Sequence, residues 1–303
     1  MTAVADDREA LKAAREKTAL RLLGSSSKNS YDPLLDIDWD ADVDLEMAYM
    51  PFERVSIYGT PEWDALTDAQ KIELSKHELA SVASTGLWFE ILLIQMLARY
   101  AYSQDPQAAH THYALTEIGD ETRHVIMFAK AVSRMGVPTY RPPAYVQQLA
   151  KVYAGLAKGV AVFAPVLVAE EITDRLQRET MNDEAIHPLI RMVNRIHVVE
   201  EARHVRFARE EVARLMPFLG PIAKAVTNTS SAIVAAYVVH VLINPEVYAS
   251  VGLDPKKTAK IARKNPHHQQ TRRFLGEKIM KFLDEQGMVT WSSRPIYKLV
   301  HLI

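Results

Sequence analysis

Apolar residues recur at helical spacing along most of this chain, and we predict no β-strand in it. The predicted helices cover residues 7–23, 67–102, 107–136, 143–179, 189–216, 221–243, 254–263 and 269–285. Proline and glycine segments separate them. The pattern therefore predicts an all-α protein.

Helical spacing is lost between residues 29 and 61, where acidic, aromatic and proline residues alternate. We expect this segment to form an irregular arm packed on the helices. We predict a single domain, residues 1–303, with an N-terminal helix and arm in 1–65, a four-helix core in 66–216 and additional helices in 217–303. Pro165 is expected to kink the third core helix, and the helix at 221–243 is expected to be buried.

Composition narrows the classes of function. The chain has 303 residues, 48% of them hydrophobic and 24% charged, with a net charge of −1. Such a balance does not favour nucleic acid or an anionic membrane as a partner. There are no cysteines, which excludes disulfides and thiolate metal sites. Residues 1–17 lack the apolar segment of a secretory signal, and no apolar stretch reaches the ~20 residues of a membrane span, so we expect a soluble cytoplasmic protein.

One acidic motif occurs twice at a fixed separation. Glu121 and His124 recur as Glu201 and His204, 80 residues later (201 − 121). A further glutamate lies 31 residues before each motif (121 − 90 and 201 − 170). The two matched triplets are Glu90/Glu121/His124 and Glu170/Glu201/His204. The offset predicts an internal duplication of a helix pair.

The duplicated residues have the composition of a dinuclear metal site. Residues at i and i+3 lie on one helix face, and four glutamates with two histidines from four helices are the ligands of ferritin-like di-iron and di-manganese bundles. The alternative is that the glutamates lie on solvated helix faces. Glu90 and Glu170 stand among apolar residues, and buried carboxylates are paired or bind metal. The metal site is therefore the favoured interpretation.

The register of the duplication separates neighbouring candidates. Glu171 corresponds to Ile91 (171 − 80) and is not expected to be a ligand. A third Glu-x-x-His, Glu184/His187, has no partner glutamate 31 residues earlier and is expected to be unrelated to the site. Asp120 and Glu200 each precede a ligand glutamate. They could accept a hydrogen bond from a metal-bound histidine, or pair at the surface with Arg123 or Arg203.

His197 breaks the symmetry of the two halves. It lies four residues before Glu201 and shares a helix face with Glu201 and His204, so we predict it to be a seventh ligand. Its counterpart in the first half is Glu117 (197 − 80), which we expect to be solvated. The aromatic residues near the motifs are candidates for a substrate pocket, although ordinary core packing is an equal alternative. They are Trp88, Phe89, Phe128 and Phe163.

The added histidine and the Asp120-Glu-Thr-Arg-His124 segment resemble the para-aminobenzoate N-oxygenase (AurF-type) family over residues 66–216. The resemblance implies the ligands Glu90, Glu121, His124, Glu170, His197, Glu201 and His204. It also implies two iron ions, with manganese as an alternative, and dioxygen as co-substrate. The implied substrate is a small molecule, an aryl amine oxidised at nitrogen. By analogy we expect a homodimer and an external electron donor of the ferredoxin/reductase type.

Three other functions share parts of this pattern. An acyl-carrier-protein desaturase or related hydroxylase has similar Glu-x-x-His segments but lacks the ligand at His197. A ribonucleotide reductase small subunit would place a tyrosine one turn past His124, where this chain has Phe128. A non-catalytic ferritin-like iron store is a different class of protein, with shorter chains lacking the arm and C-terminal helices.

Overall fold

A computed structural model describes the backbone of residues 2–41 and 46–303, and their side chains from Glu9 onward. In chain order the α-helices are α1 (Thr2–Ser26), α2 (Pro33–Asp36), α3 (Pro61–Asp64), α4 (Asp68–Tyr102), α5 (Ala109–Arg134), α6 (Ala144–Leu156), α7 (Val160–Asn182), α8 (Pro188–Leu215), α9 (Pro221–Val241), α10 (Pro255–Lys264), α11 (Pro266–Glu285) and α12 (Arg294–Leu299). Short 3₁₀ helices occupy Phe52–Arg54, Met216–Phe218 and Pro245–Val251. The described residues form no β-strand, which confirms the all-α prediction.

Four long helices form the core in two hairpins. Helix α4 packs along α5, and α7 packs along α8. Contacts of α5 with α8 and of α4 with α7 join the hairpins into a bundle. Each hairpin carries one copy of the duplicated motif, so the sequence repeat corresponds to a structural repeat, as in ferritin-like bundles.

Helix α4 has a well-defined start. The hydroxyl of Thr67 accepts a hydrogen bond from the backbone N–H of Gln70, and the Gln70 side chain accepts one from the N–H of Thr67. This reciprocal capping box satisfies two backbone donors that the first turn leaves without helical partners. It fixes where the 35-residue helix begins and so where Glu90 lies along it.

The predicted helix over 143–179 is wrong in one respect, because it is broken into α6 and α7. Gly159 has φ 56° and ψ −128°, a conformation outside the helical region that glycine adopts readily. The guanidinium of Arg99, on α4, donates to the carbonyls of Ala154 and Ala157, which have lost helical partners at this break. The break lets α6 fold back across α4.

Pro165 lies inside α7, in continuous helix. Proline cannot donate to the carbonyl four residues earlier, which here belongs to Ala161. The hydroxyl of Tyr153, on α6, donates to that carbonyl at 2.6 Å. The break between α6 and α7 thus supplies a partner for the acceptor that the proline leaves free.

The N-terminal segment packs on the bundle. Helix α1 contacts α5 and α8. In the arm, Trp39, Tyr49, Met50 and Ile57 are buried, which confirms that it is packed. Residues 42–45 of the predicted arm lie outside the described residues.

The C-terminal helices cover the second hairpin, since α9 and α11 both contact α7. The expectation that α9 is buried is wrong for one face, where Ile222 and Val226 are exposed. Two stretches, Asp68–Tyr102 and Pro221–Val251, have the length and composition of a membrane span. The expectation that every apolar stretch is too short is therefore wrong by that measure. The first of the two is the core helix α4.

Candidate metal centre

The seven predicted ligands converge at the middle of the bundle. Glu90 comes from α4, Glu121 and His124 from α5, Glu170 from α7, and His197, Glu201 and His204 from α8. All seven are buried, with at most 3% of their surface exposed. Their ligand atoms form three overlapping groups, each within 4.8 Å: Glu121/His124/Glu201/His204, Glu90/His124/His197 and Glu170/His197/Glu201.

The two Glu-x-x-His motifs meet across the α5–α8 contact. Within each motif the glutamate Oε2 lies 3.0 Å from the histidine Nδ1, in Glu121–His124 and in Glu201–His204. Across the helices, Glu121 Oε1 lies 2.9 Å from His204 Nδ1. The Nδ1 atoms of His124 and His204 therefore both face the carboxylates at the centre.

Asp120 and Glu200, which precede the predicted ligand glutamates, contact the ring nitrogens that face away from the centre. Each contacts the histidine of the other helix. His124 Nε2 lies 2.9 Å from Glu200 Oε2, and His204 Nε2 lies 3.2 Å from Asp120 Oδ2. A carboxylate on one ring nitrogen fixes the tautomer and leaves the other nitrogen free to bind a metal. The histidine-acceptor alternative for Asp120 and Glu200 thus fits the geometry.

The surface-pair alternative also describes part of this network. Asp120 contacts the guanidinium groups of Arg123 and Arg203, the latter at 3.4 Å. Arg203 donates to the carbonyl of Asn29 at 3.1 Å, and Glu200 accepts from the N–H of Tyr31 at 3.1 Å. Arg203 and Glu200 are buried, so the start of the arm is tied to the outer layer of the site.

His197 faces the cluster through Nε2, whereas His124 and His204 face it through Nδ1. Its Nδ1 lies 2.8 Å from Gln177 Oε1, so the ring donates to the amide and Nε2 carries the free lone pair. Nε2 lies 3.6 Å from Glu90 Oε1 and has no hydrogen-bond partner. Burial lowers the pKa of His197 well below its ordinary value, and His124 lowers it further. A neutral imidazole with an unshared Nε2 is the form that binds metal.

Several buried acceptors at the centre lack partners. They are Glu90 Oε2, Glu170 Oε1, Glu201 Oε1 and His197 Nε2. Buried polar atoms without partners are rare in folded proteins and unfavourable. Four glutamates and three histidines suit iron or manganese, which accept both oxygen and nitrogen ligands. The residues present therefore fit a pair of such cations.

The pKa values of the clustered glutamates show that the site holds more negative charge than its histidines can compensate. Burial raises the pKa of Glu90 well above its ordinary value, and repulsion from Glu121, Glu170 and Glu201 raises it further. Burial and Glu201 do the same to the pKa of Glu170. Burial also opposes ionisation of Glu121, but His204 and His124 outweigh it and lower that pKa. Cations at the centre would favour all four carboxylates in their ionised form.

Other sequence predictions near the centre have mixed outcomes. Glu117 was expected to be solvated, which is wrong, because it is buried and burial raises its pKa to about 8. Its Oε2 has no hydrogen-bond partner.

Glu171 points away from the cluster and pairs with Arg209. In the third motif His187 caps the start of α8, while Glu184 is exposed and neither joins the cluster.

An apolar chamber of about 60 Å³ adjoins the cluster on the side of Glu90, Glu170 and His197. Among the residues that the structure describes, no lysine or arginine lines it. Of the predicted aromatic residues, Phe89 and Phe128 line this chamber. Phe163 instead packs edge-to-face on Phe207 in the core, and Trp88 does not line the chamber.

Sequence reasoning missed two polar residues in the chamber wall. Gln177 orients His197, and it lies seven residues after Glu170 on the same face of α7, a spacing that could have identified it. Asn194 is 4% exposed, lines the chamber and has no partner for Nδ2. It lies three residues before His197, one turn along the same face.

The sequence was also compared with known proteins. It matches the family described as P-aminobenzoate N-oxygenase AurF over residues 12–287. It is 32% identical over 224 residues to an uncharacterised protein of Mycobacterium bovis and to uncharacterised proteins of two Mycobacterium tuberculosis strains. Each alignment covers 71% of this chain and 64% of the relative. The chain belongs to the P-aminobenzoate N-oxygenase AurF family, a ferritin-like di-iron family.

Proposed function

We propose that this protein is a di-iron oxygenase that N-oxygenates a neutral, apolar amine, with an aryl amine as the substrate class. Family membership and the buried glutamate and histidine cluster support a di-iron oxygenase. The observation that carries the proposal is the set of partnerless acceptor atoms of Glu90, Glu170, Glu201 and His197, directed into one buried volume beside an apolar chamber.

The seven side chains would hold the two ions, Glu90, Glu121, Glu170 and Glu201 by oxygen and His124, His197 and His204 by nitrogen. When bound, the ions would supply the activation of dioxygen. Asp120 and Glu200 hold protons at the Nε2 atoms of His204 and His124, and Gln177 orients His197. These contacts keep the imidazoles in the orientation that binding requires.

The chamber favours an uncharged substrate. Its ionisable lining residues are the carboxylic acids Glu90 and Glu170 and the neutral imidazole of His197, and the rest of the wall is mainly aliphatic and aromatic. A carboxylate brought into such a wall would lose its hydration without gaining a cationic partner. We therefore expect p-aminobenzoate itself to be a poor substrate compared with a neutral aryl amine.

Asn194 is the residue best placed to orient the substrate. A buried amide nitrogen without a partner in the chamber wall is available to a polar group of the ligand. The volume of about 60 Å³ accommodates dioxygen or water, whereas a benzene-sized ligand needs roughly 150 Å³. Side chains such as Phe89 and Leu242 must therefore shift when an aryl amine enters.

The test uses iron-loaded protein with a chemical reductant and dioxygen. Aniline and p-aminobenzoate are supplied in parallel, and products are analysed by mass spectrometry. We expect aniline to gain oxygen at nitrogen and p-aminobenzoate to react at least about tenfold more slowly. Dioxygen uptake without an oxidised amine would exclude N-oxygenation but would still support a di-iron oxygenase. Absence of iron from the protein would exclude both.

The apolar chamber also fits an acyl chain, so a desaturase or hydroxylase acting on a hydrocarbon is the second candidate. The chamber adjoins a second cavity of about 50 Å³, and Val82, Leu176 and Leu242 line both. The wall of this second cavity is mainly apolar but also includes Arg54, His268 and Arg272. Loss of two hydrogens or gain of one oxygen in an acyl thioester would favour this candidate. The external electron donor and the homodimer are proposed on family analogy.

A further inference from the structure

A second polar feature lies apart from the metal centre. A cavity of about 310 Å³ is enclosed by the end of α9, the helices α10 and α11, and the Arg141–Pro143 segment before α6. It shares no lining residue with the chamber beside the metal cluster. Small-molecule sites begin at roughly 300 Å³, so this cavity is large enough for a metabolite without rearrangement.

The lining of this cavity is strongly basic. Its ionisable basic residues are Arg141, His240, Arg263, His268 and Arg272, and it includes no aspartate or glutamate. Within the described part of the chain, Arg141, Arg263 and Arg272 form no ion pair with a carboxylate. Arginines that share one cavity without paired carboxylates create a positive potential that attracts an anion.

His268, on α11, supplies a second and independent indication. Its side chain is 8% exposed and lines the cavity, and Nδ1 has no hydrogen-bond partner. Burial and, to a smaller extent, the neighbouring Arg272 lower its pKa to about 3. The ring is therefore neutral, and the partnerless nitrogen needs a ligand or solvent group within the cavity.

The exposure of the basic groups decreases from the mouth of the cavity to its interior. Arg141, His240 and Arg263 are exposed, while Arg272 is half-buried and His268 is buried. The buried Glu78 does not line the cavity, and both of its oxygens accept hydrogen bonds from the lining residue Ser56. The exposed guanidinium groups of Arg141 and Arg263 attract an anion, and the deeper groups can bind it where water is limited.

We propose that this basic cavity is an oxyanion-binding site that takes the phosphate or carboxylate group of a small molecule. Guanidinium groups bind both anions through paired N–H donors, and Arg272 with His268 would form the floor of the site. The basic cavity shares His268 and Arg272 with the cavity of about 50 Å³ that adjoins the metal-side chamber, but it shares no lining residue with that chamber. The inference stands whether or not the proposed oxygenase centre oxidises amines.

The test is calorimetric titration of the full-length, iron-loaded protein at constant ionic strength. The probes are inorganic phosphate and malonate, with malonamide as the uncharged control. We expect saturable binding of at least one anion and none of malonamide. Phosphate binding tighter than malonate identifies a phosphate site, and the reverse order identifies a carboxylate site.

Matched variants locate the binding. Arg272→Gln removes one charged donor from the floor, and we expect at least about tenfold weaker binding, because hydrogen bonds to charged groups are among the stronger ones. Arg273→Gln removes a neighbouring exposed charge that does not line the cavity, and binding should stay within about twofold. An anion bound to iron would keep its affinity in both variants.

The exposed Arg263 provides a second variant in case Arg272→Gln does not fold. Arg263→Gln should weaken the binding of the same anion more than Arg273→Gln does, because Arg263 lies at the cavity mouth. The proposal is overturned if neither phosphate nor malonate binds saturably. It is also overturned if the cavity variants bind the anion as tightly as Arg273→Gln.

Discussion

At the residue scale, the three histidines of the metal centre are held in two different ways. His124 and His204 face the centre through Nδ1 and contact carboxylates through Nε2, whereas His197 faces it through Nε2 and contacts the amide of Gln177. The neutral amide partner adds no negative charge beside His197. His197, the predicted seventh ligand, therefore differs from His124 and His204 in both orientation and electrostatic surroundings.

Two adjacent glutamates test the assignment of ligands. Glu170→Gln should lower the iron content below the about two ions per chain expected of this site, because it removes a charged ligand from the centre. Glu171→Gln should leave the iron content unchanged, since Glu171 pairs with Arg209 instead. Iron is measured by mass spectrometry on protein refilled under anaerobic conditions. Equal iron loss in both variants would contradict the assignment.

The raised pKa of Glu78 leads us to predict that the stability of the fold depends on pH. Burial raises its pKa to about 7 from an ordinary 4.5, against two hydrogen bonds from Ser56 that lower it. Between these values the folded chain keeps a proton that the unfolded chain has released, so stability falls as pH rises. Glu78→Gln should therefore be more stable than the wild type at pH 8 by up to about 3 kcal/mol, since one pKa unit corresponds to ~1.4 kcal/mol.

Urea unfolding at pH 5.5 and pH 8 measures this difference, and the advantage of Glu78→Gln should be smaller at pH 5.5. Glu73, on the same helix, is the control with the opposite sign. Burial opposes its ionisation, but Lys76 and His77 outweigh it and lower its pKa. Glu73→Gln should lose stability at pH 8. A Glu78→Gln advantage that does not depend on pH would contradict the account.

At the scale of elements, α5 and α8 orient each other's ligands. Asp120 of α5 holds His204 of α8, and Glu200 of α8 holds His124 of α5. Asp120→Asn and Glu200→Gln should each weaken iron binding about 10–100-fold, as loss of a histidine-orienting carboxylate does at other metal sites. Competition with a chelator gives the affinities. Glu210→Gln, a surface change on α8 beside Arg206, should have no effect.

The break between α6 and α7 makes a prediction about backbone conformation. Gly159→Ala should destabilise the fold by about 1–3 kcal/mol, because its φ of 56° with ψ of −128° is unfavourable for a residue with a Cβ. Gly155→Ala, in the last turn of α6, meets nothing within 4 Å and should be neutral or stabilising by up to about 1 kcal/mol. Thermal unfolding compares the two, and equal effects would contradict the proposed role of Gly159.

Sequence patterns predicted the helices correctly where the signal lay within the segment itself. Proline and glycine boundaries located most helices, and the repeat placed Glu90 and Glu170 on the corresponding helices α4 and α7, one in each hairpin. The break at Gly159 was missed, because apolar residues continue through it and its stabilising contacts come from Arg99 on α4. Burial of Glu117 was missed for a similar reason, since helices packed around α5 enclose it.

At the scale of the whole molecule, the bundle separates two kinds of chemistry. Its centre gathers carboxylates and imidazoles beside an apolar chamber, and its C-terminal helices enclose a basic cavity. The first was predictable because the ligands repeat at fixed spacing. The second was not, because Arg141, Arg263 and Arg272 are brought together only by the packing of α10, α11 and the segment before α6. The single domain, the cytoplasmic location, the electron donor and the homodimer stay predictions.

The central claim is that two iron ions lie among the seven buried ligands, and X-ray diffraction at the iron absorption edge tests it most directly. The account predicts two neighbouring anomalous peaks in crystals of the iron-loaded protein, between the carboxylates of Glu121 and Glu201 and within reach of His197 Nε2. Anomalous maps with no peak at this position, or iron bound elsewhere on the chain, would contradict it.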